Sequence, residues 1–150
     1  MDSYRIPTKS GASEYVDKRS RFLGLVRPVG SEDEARTIIA ACKKQYHDAR
    51  HNCWCYLLRD GTERYSDDGE PQGTAGMPVL SVLKGEDIKD TAIVVTRYFG
   101  GTLLGTGGLV RAYQKATQTG LENSVIIDKQ IGRKLTIGTD YNGLGKLQYL

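Results

Sequence analysis

The period of the hydrophobic pattern changes several times along the chain, and each change predicts an element. Lys18-Arg19-Ser20-Arg21 leads into Phe22-Leu23-Gly24-Leu25-Val26, an apolar run of strand length that Pro28 and Gly30 close. Apolar residues then recur at Ala35, Ile38, Ile39, Cys42 and Tyr46, the spacing of a single helix face. Ser31-Glu32-Asp33-Glu34 reads as a capping box, with Ser31 capping the first turn and Glu34 reaching back. Lys43 and Lys44 suit the far end of that helix dipole. Asn52–Leu58 is dense in Cys, Trp, Tyr and Leu without alternation, which predicts a strand covered on both faces. Asp90–Tyr98, centred on Ala92-Ile93-Val94-Val95, is the clearest strand. A helix is predicted from about Leu109 to Leu121, with Leu109, Tyr113, Ala116 and Gly120 on one face, and Val125–Ile127 closes as a strand. Residues 1–14 carry no comparable pattern and are expected to form a loose arm.

The segments between these elements are informative too. Arg59-Asp60-Gly61-Thr62 predicts a turn. Tyr65–Pro78 is too rich in Gly and Pro for regular structure and too long for a passive connection, so it is expected to be functional. Val79–Leu83 after Pro78 reads as a short helix, with a strand as the alternative. The fold expected is α+β: a mixed β-sheet of about four strands with two main helices on one face. There are no internal repeats. Arg133–Ile137 is strand-like and Tyr141–Leu150 opens a helix, too little to bury a core alone. The expected division is therefore one domain over 1–130, with 131–150 the start of a truncated second one.

Composition narrows the class. The 150 residues are 39% hydrophobic and 26% charged with 4 Pro, which excludes a disordered tail or a coiled coil as the main theme. No apolar run reaches the ~18 residues that cross a bilayer, and Met1–Ser10 lacks the apolar stretch of a secretory signal. Three cysteines form no disulfide framework. A reduced, cytoplasmic protein without membrane contact is expected. The net charge of +3 hides a segregation: residues 1–59 balance to +4, residues 60–90 to −5 and residues 91–150 to +4. That pattern suggests a basic and an acidic face and an anionic partner, against solvated charges with no partner.

The glycines concentrate in Gly100–Gly108 and Asp67–Gly76. Gly100 and Gly105 have the Walker spacing, but Thr106-Gly107 stand where Lys-Ser/Thr belong, and Val110 occupies the last glycine place of the dinucleotide fingerprint. What survives is physical: backbone amides of a glycine loop at a helix N-terminus attract anions. The candidate anion or nucleic-acid site is Arg97, Gly100, Gly101, Gly105, Gly107, Gly108 and Arg111, with a purely structural tight turn as the alternative. Asp67, Asp68 and Glu70 form a second cluster. Paired carboxylates bind cations or act as acid and base, but the calcium-loop spacing is absent, and capping turns or pairing with arginines is the expected role. His47, His51, Cys53 and Cys55 match no strong zinc signature. The cysteines read as small buried hydrophobes and His51 as a strand-entry residue. No metal and no cofactor are expected. The two long loops are expected on the same side of the domain.

Three segments together resemble a known family. Asp48-Ala49-Arg50-His51-Asn52-Cys53, Asp67-Asp68-Gly69-Glu70-Pro71-Gln72-Gly73-Thr74-Ala75-Gly76 with Pro78, and Val95-Thr96-Arg97-Tyr98-Phe99-Gly100-Gly101 continuing through Leu104–Tyr113 are similar, in order and spacing, to the signature of the IMPACT/YigZ family. The resemblance runs from Tyr15 to Val125. It implies a β-α-β type domain like elongation factor G domain four and a small-subunit ribosomal protein. It further implies, for bacterial members, a second ferredoxin-like domain. The eukaryotic member restrains activation of a kinase that phosphorylates an initiation factor, using an extra N-terminal domain. Some bacterial members have carried a proline dipeptidase label, for which this sequence shows no metallopeptidase ligand set.

The resemblance thus implies a non-enzymatic regulator of translation in stress responses. Its implied partners are RNA or the ribosome, or a translation-regulatory protein, and Lys18, Arg19 and Arg21 would extend the contact surface. Two readings from other classes stay open. One is a peptidase-like hydrolase using Asp67, Asp68 and Glu70 with His51. The other is a protein-interaction module with no anion site.

Overall fold

The computed structural model describes residues 3–130; the expected second domain at 131–150 lies outside the described residues. Seven strands and three helices follow one another as β1 Ser3–Lys9, β2 Gly11–Asp17, β3 Ser20–Pro28, α1 Glu32–Gln45, β4 His51–Leu57, β5 Glu63–Ser66, α2 Gly76–Gly85, β6 Thr91–Tyr98, α3 Gly105–Glu122 and β7 Val125–Gln130. Five strands form the main sheet in the order β2-β3-β6-β4-β5, and β1 pairs with β7 in a separate ribbon.

The α+β class is as expected, while the sheet differs in detail. It is antiparallel throughout, not mixed, because β6 inserts between β3 and β4 and pairs antiparallel with both. It has five strands, not four, because hairpin partners β2 and β5 extend the two edges. The helices cover both faces. Strands β4 and β6 are apolar at both parities. Cys53, Cys55, Ile93 and Val95 pack with α2 and α3, while Tyr56, Ala92 and Val94 pack with Ala35, Ile39 and Cys42 of α1. Two apolar faces need two covers.

The loose arm expected over residues 1–14 is instead two strands. Strand β1 finds its partner more than a hundred residues away in β7. Strand β2 hides Ser13 and Tyr15 toward α3 and leaves Ala12, Glu14 and Val16 outside. Local signals serve better at α1: Ser31 Oγ accepts from Glu34 N at 3.2 Å, and Glu34 reaches back to Gly30 N. Helix α2 begins with Pro78 in its first turn, where its missing N–H costs nothing.

Antiparallel pairing sorts the loops by end. Ser20 of β3, His51 of β4, Ser66 of β5 and Tyr98 of β6 lie at one end, called upper here. The β2–β3 turn, the α1–β4 connection and the starts of α2 and α3 gather there. Pro28, Leu57, Glu63 and Thr91 mark the lower end.

Candidate nucleic-acid interface

The upper end is organised around a buried ion pair. Glu70 and Arg97 have side chains only 3% and 6% exposed, and Arg97 Nη1 donates to both Glu70 oxygens at 3.0 and 2.8 Å. Tyr113 OH adds a donation to Glu70 Oε2 at 2.6 Å, and His51 Nε2 lies 3.5 Å from Oε1. Arg97 Nη2 reaches Ser20 Oγ at 3.4 Å, while its Nε has no partner. Phe22 and Phe99 flank the guanidinium. A buried pair of this kind is costly to break by halves, at about 3–5 kcal/mol. Arg97 was expected to face an outside anion beside Arg111. The structure places it in the interior and leaves Arg111 exposed on α3. The reason is Glu70, which the long loop delivers to the inner face of β6.

The other loop carboxylates are equally committed. Asp67 accepts from Gly73 N, Ala75 N and Gly76 N at 2.9, 3.2 and 2.8 Å, which caps the start of α2. Asp68, left-handed at φ 42°, accepts from Asn52 N at 2.7 Å, and its carbonyl accepts a hydrogen bond from His51 Nδ1 at 2.8 Å. Asp67 and Glu70 take the capping and arginine-pairing roles expected from sequence, while Asp68 instead ties the loop to the start of β4. Cys53 and Cys55 are fully buried, and burial pushes both thiols far up in pKa; Tyr113 is pushed up by the same cause. Cys42 is buried from α1. Among the described residues no group of His, Cys, Asp and Glu has metal-holding geometry, and no helix is long and apolar enough to cross a membrane.

The two long loops lie at the same end of the sheet, as expected. Ser20 Oγ, which takes Arg97 Nη2, also accepts from Gly100 N at 3.1 Å. The glycine stretch expected as one loop divides. Gly100 packs so tightly that a Cβ would sit 2.2 Å from the Arg19 carbonyl carbon, and Gly101 is left-handed at φ 90° in open space. Gly105 (φ 78°), Gly107 and Gly108 instead belong to the first turn of α3, which starts four residues before its predicted position. That helix start has no side-chain cap and no acidic residue in its first turn. The Arg111 guanidinium folds back over Gly107.

At this end Lys18, Arg19, Lys43, Lys44, Arg50 and Arg111 have no ion-pair partner among the described residues, Lys43 and Lys44 at the close of α1 on the opposite face of the sheet from α3. Lys18 and Arg19 occupy the two-residue β2–β3 turn, both left-handed at φ 47° and 71°. A non-glycine residue pays about 1 kcal/mol for that conformation. Arg21 is partly committed, with Nε 2.9 Å from Glu14 and its guanidinium over Tyr98. Sequence reasoning missed Arg50, whose guanidinium lies 4.6 Å from the Phe99 ring centroid. Its only signal was membership of the segment Asp48–Cys53.

Known proteins resemble this chain in sequence and fold. The Impact N-terminal domain matches residues 18–121. The chain is 43% identical over 150 residues to the IMPACT family member YvyE of Bacillus subtilis, covering 99% of this chain and 69% of that protein. A solved structure described as a hypothetical protein superposes with a TM-score of 0.81 at 34% identity, over 86% of this chain and 65% of that one. The two-domain translational regulator Yih1 shares the fold at a TM-score of 0.52 and 22% identity, over 78% of this chain and 48% of its own.

Proposed function

Because the chain belongs to the IMPACT family, through the Impact N-terminal domain, we propose that it regulates translation from the cytoplasm by contacting RNA, free or in the ribosome, without catalysing a reaction. The observation that carries this reading is the upper end itself. Lys18, Arg19, Arg50 and Arg111, without ion-pair partners among the described residues, lie at the same end as an uncapped helix start whose amides favour negative charge. The contact set is Lys18, Arg19, Arg50 and Arg111 with the Gly105–Gly108 amides. Arg97 supports it from beneath. That Yih1 is described as a translational regulator supports the translation link. A hydrolase reading finds little support, because Asp67, Asp68 and Glu70 spend their oxygens on internal donors. We further propose that residues 131–150 open a second domain, in keeping with the greater length of YvyE.

The test is RNA binding by the full chain across a salt series. Affinity should fall steeply with salt as condensed counterions are released. Arg111→Ala should weaken binding by about 1–2 kcal/mol and leave the melting temperature unchanged. Arg97→Ala should lower the melting temperature instead. Absence of RNA binding, or binding indifferent to salt, sinks the reading and turns attention to a protein partner.

A further inference from the structure

The tip of the β2–β3 hairpin is built against its own backbone preference. Lys18 and Arg19 are consecutive left-handed residues between the paired Asp17 and Ser20, the geometry of a type I′ turn. Such turns favour Asn-Gly, whose backbones accept positive φ at little cost. Two long cationic side chains stand there instead, both exposed.

The tip is also locked from below. The Gly100 backbone lies against the Arg19–Ser20 peptide, too close for any Cβ. Ser20, fully buried, holds Gly100 N and Arg97 Nη2 together. Strain held in place by packing marks a position where conformation serves a purpose.

The neighbouring aromatic rings narrow what the tip meets. Single-strand binders that read bases need open ring faces. Phe99 has the Arg50 guanidinium 4.6 Å from its centroid and that of Arg97 at 5.4 Å. Tyr98 carries Arg21 at 5.6 Å, and its hydroxyl donates to Asp48 Oδ1 at 2.8 Å. The upper end offers charge, and the two rings nearest the tip, Tyr98 and Phe99, already have cations seated on them.

We propose that the Lys18–Arg19 turn is a phosphate-binding prong that grips the sugar–phosphate backbone of RNA, so that this end recognises RNA by its backbone and not by its bases. This rests on the RNA-contacting reading above and adds to it the binding element and the part of RNA recognised.

The decisive variant of the full chain is Lys18→Asn/Arg19→Gly, compared with wild type on duplex RNA and on poly-U over a salt series. Relief of the turn should raise the melting temperature. RNA affinity should fall at least tenfold on both probes, and the log–log salt slope on poly-U should shrink by about 1.4, or ~0.7 for each lost phosphate contact. Lys18→Gln/Arg19→Gln keeps the strained turn and should lose the same affinity without the gain in melting temperature. A rise in stability together with a loss of binding is an outcome no structural role produces. If the Asn-Gly variant binds as tightly as wild type with the same slope, the prong is wrong while the RNA reading stands. A more than tenfold preference of wild type among homopolymers overturns backbone recognition. Failure of wild type to bind any RNA overturns the RNA reading and the prong with it.

Discussion

The two ends of the main sheet handle charge in opposite ways. At the lower end four surface cations sit beside carboxylates, Arg5 with Glu86, Arg36 with Glu32, Arg59 with Asp90 and Lys84 with Glu63, while the exposed Arg64 donates, among the described residues, only to the Glu63 carbonyl. The acidic middle of the chain supplies most of those carboxylates. At the upper end its carboxylates turn inward, with Glu70 on Arg97, Asp67 on the start of α2 and Asp68 on Asn52 N. Of the surface cations there Arg21 pairs with Glu14, while Lys18, Arg19, Lys43, Lys44, Arg50 and Arg111 have no ion-pair partner among the described residues. Surface pairs at the lower end are screened and weak. The upper end places its strong pair in the interior, where it fixes geometry, and leaves its outer charge available for a polyanion. Net charge alone does not show this; the difference lies in where each carboxylate points.

The largest effect should come from removing one member of the buried pair. Glu70→Gln keeps the shape but leaves the Arg97 guanidinium buried without a counter-charge, a loss of about 3–5 kcal/mol. The measurement is denaturant unfolding. Glu70→Leu/Arg97→Met removes both charges and should recover part of the loss. If Glu70→Gln costs no more than a surface pair, the two ends do not differ as described.

Much of this was legible in sequence, and the misses have physical causes. Ser31 and Glu34 announced α1 because capping is local. Strand β6 was clear because seven of its eight residues are buried. The glycine segments mark demanding backbone geometry, but what each glycine meets depends on distant neighbours. Gly100 is required by the backbone of Arg19, 81 residues earlier, which no local window contains. Arg97 looked like a surface anion ligand because Glu70 reaches it from a loop 27 residues away. Strand β1 was invisible because its pairing with β7 spans the chain, and β5 because four residues hold too little pattern.

A middle-sized effect tests the support beneath the prong. Gly100→Ala forces a methyl into the Arg19–Ser20 peptide, where the neighbours are backbone and cannot swing aside. Overpacking of this kind costs about 1–3 kcal/mol. Gly101→Ala next door meets open space and costs only its left-handed φ of 90°. Thermal melts should therefore rank Gly100→Ala below Gly101→Ala, and RNA affinity should fall more for Gly100→Ala as the tip shifts. Equal melting temperatures would mean that the contact between loop and hairpin tip is not tight.

The smallest effect is also the sharpest control. Lys84 pairs with Glu63 at 3.0 Å, with side chains 53% and 36% exposed. Lys84→Ala should change stability by less than about 1 kcal/mol. It removes the same unit charge as Arg111→Ala, so net charge alone predicts equal losses of RNA affinity. Position predicts otherwise. Strand β6 spans eight residues, so the ends lie roughly 26 Å apart at ~3.3 Å per residue. That exceeds twice the Debye length of about 10 Å at 0.1 M salt. At that salt Lys84→Ala should bind RNA as wild type does while Arg111→Ala binds more weakly. Near 0.01 M, where the Debye length approaches ~30 Å, the two variants should converge as the lower end comes within range. Equal losses at 0.1 M would mean that overall charge, not the arrangement of the upper end, draws the polyanion.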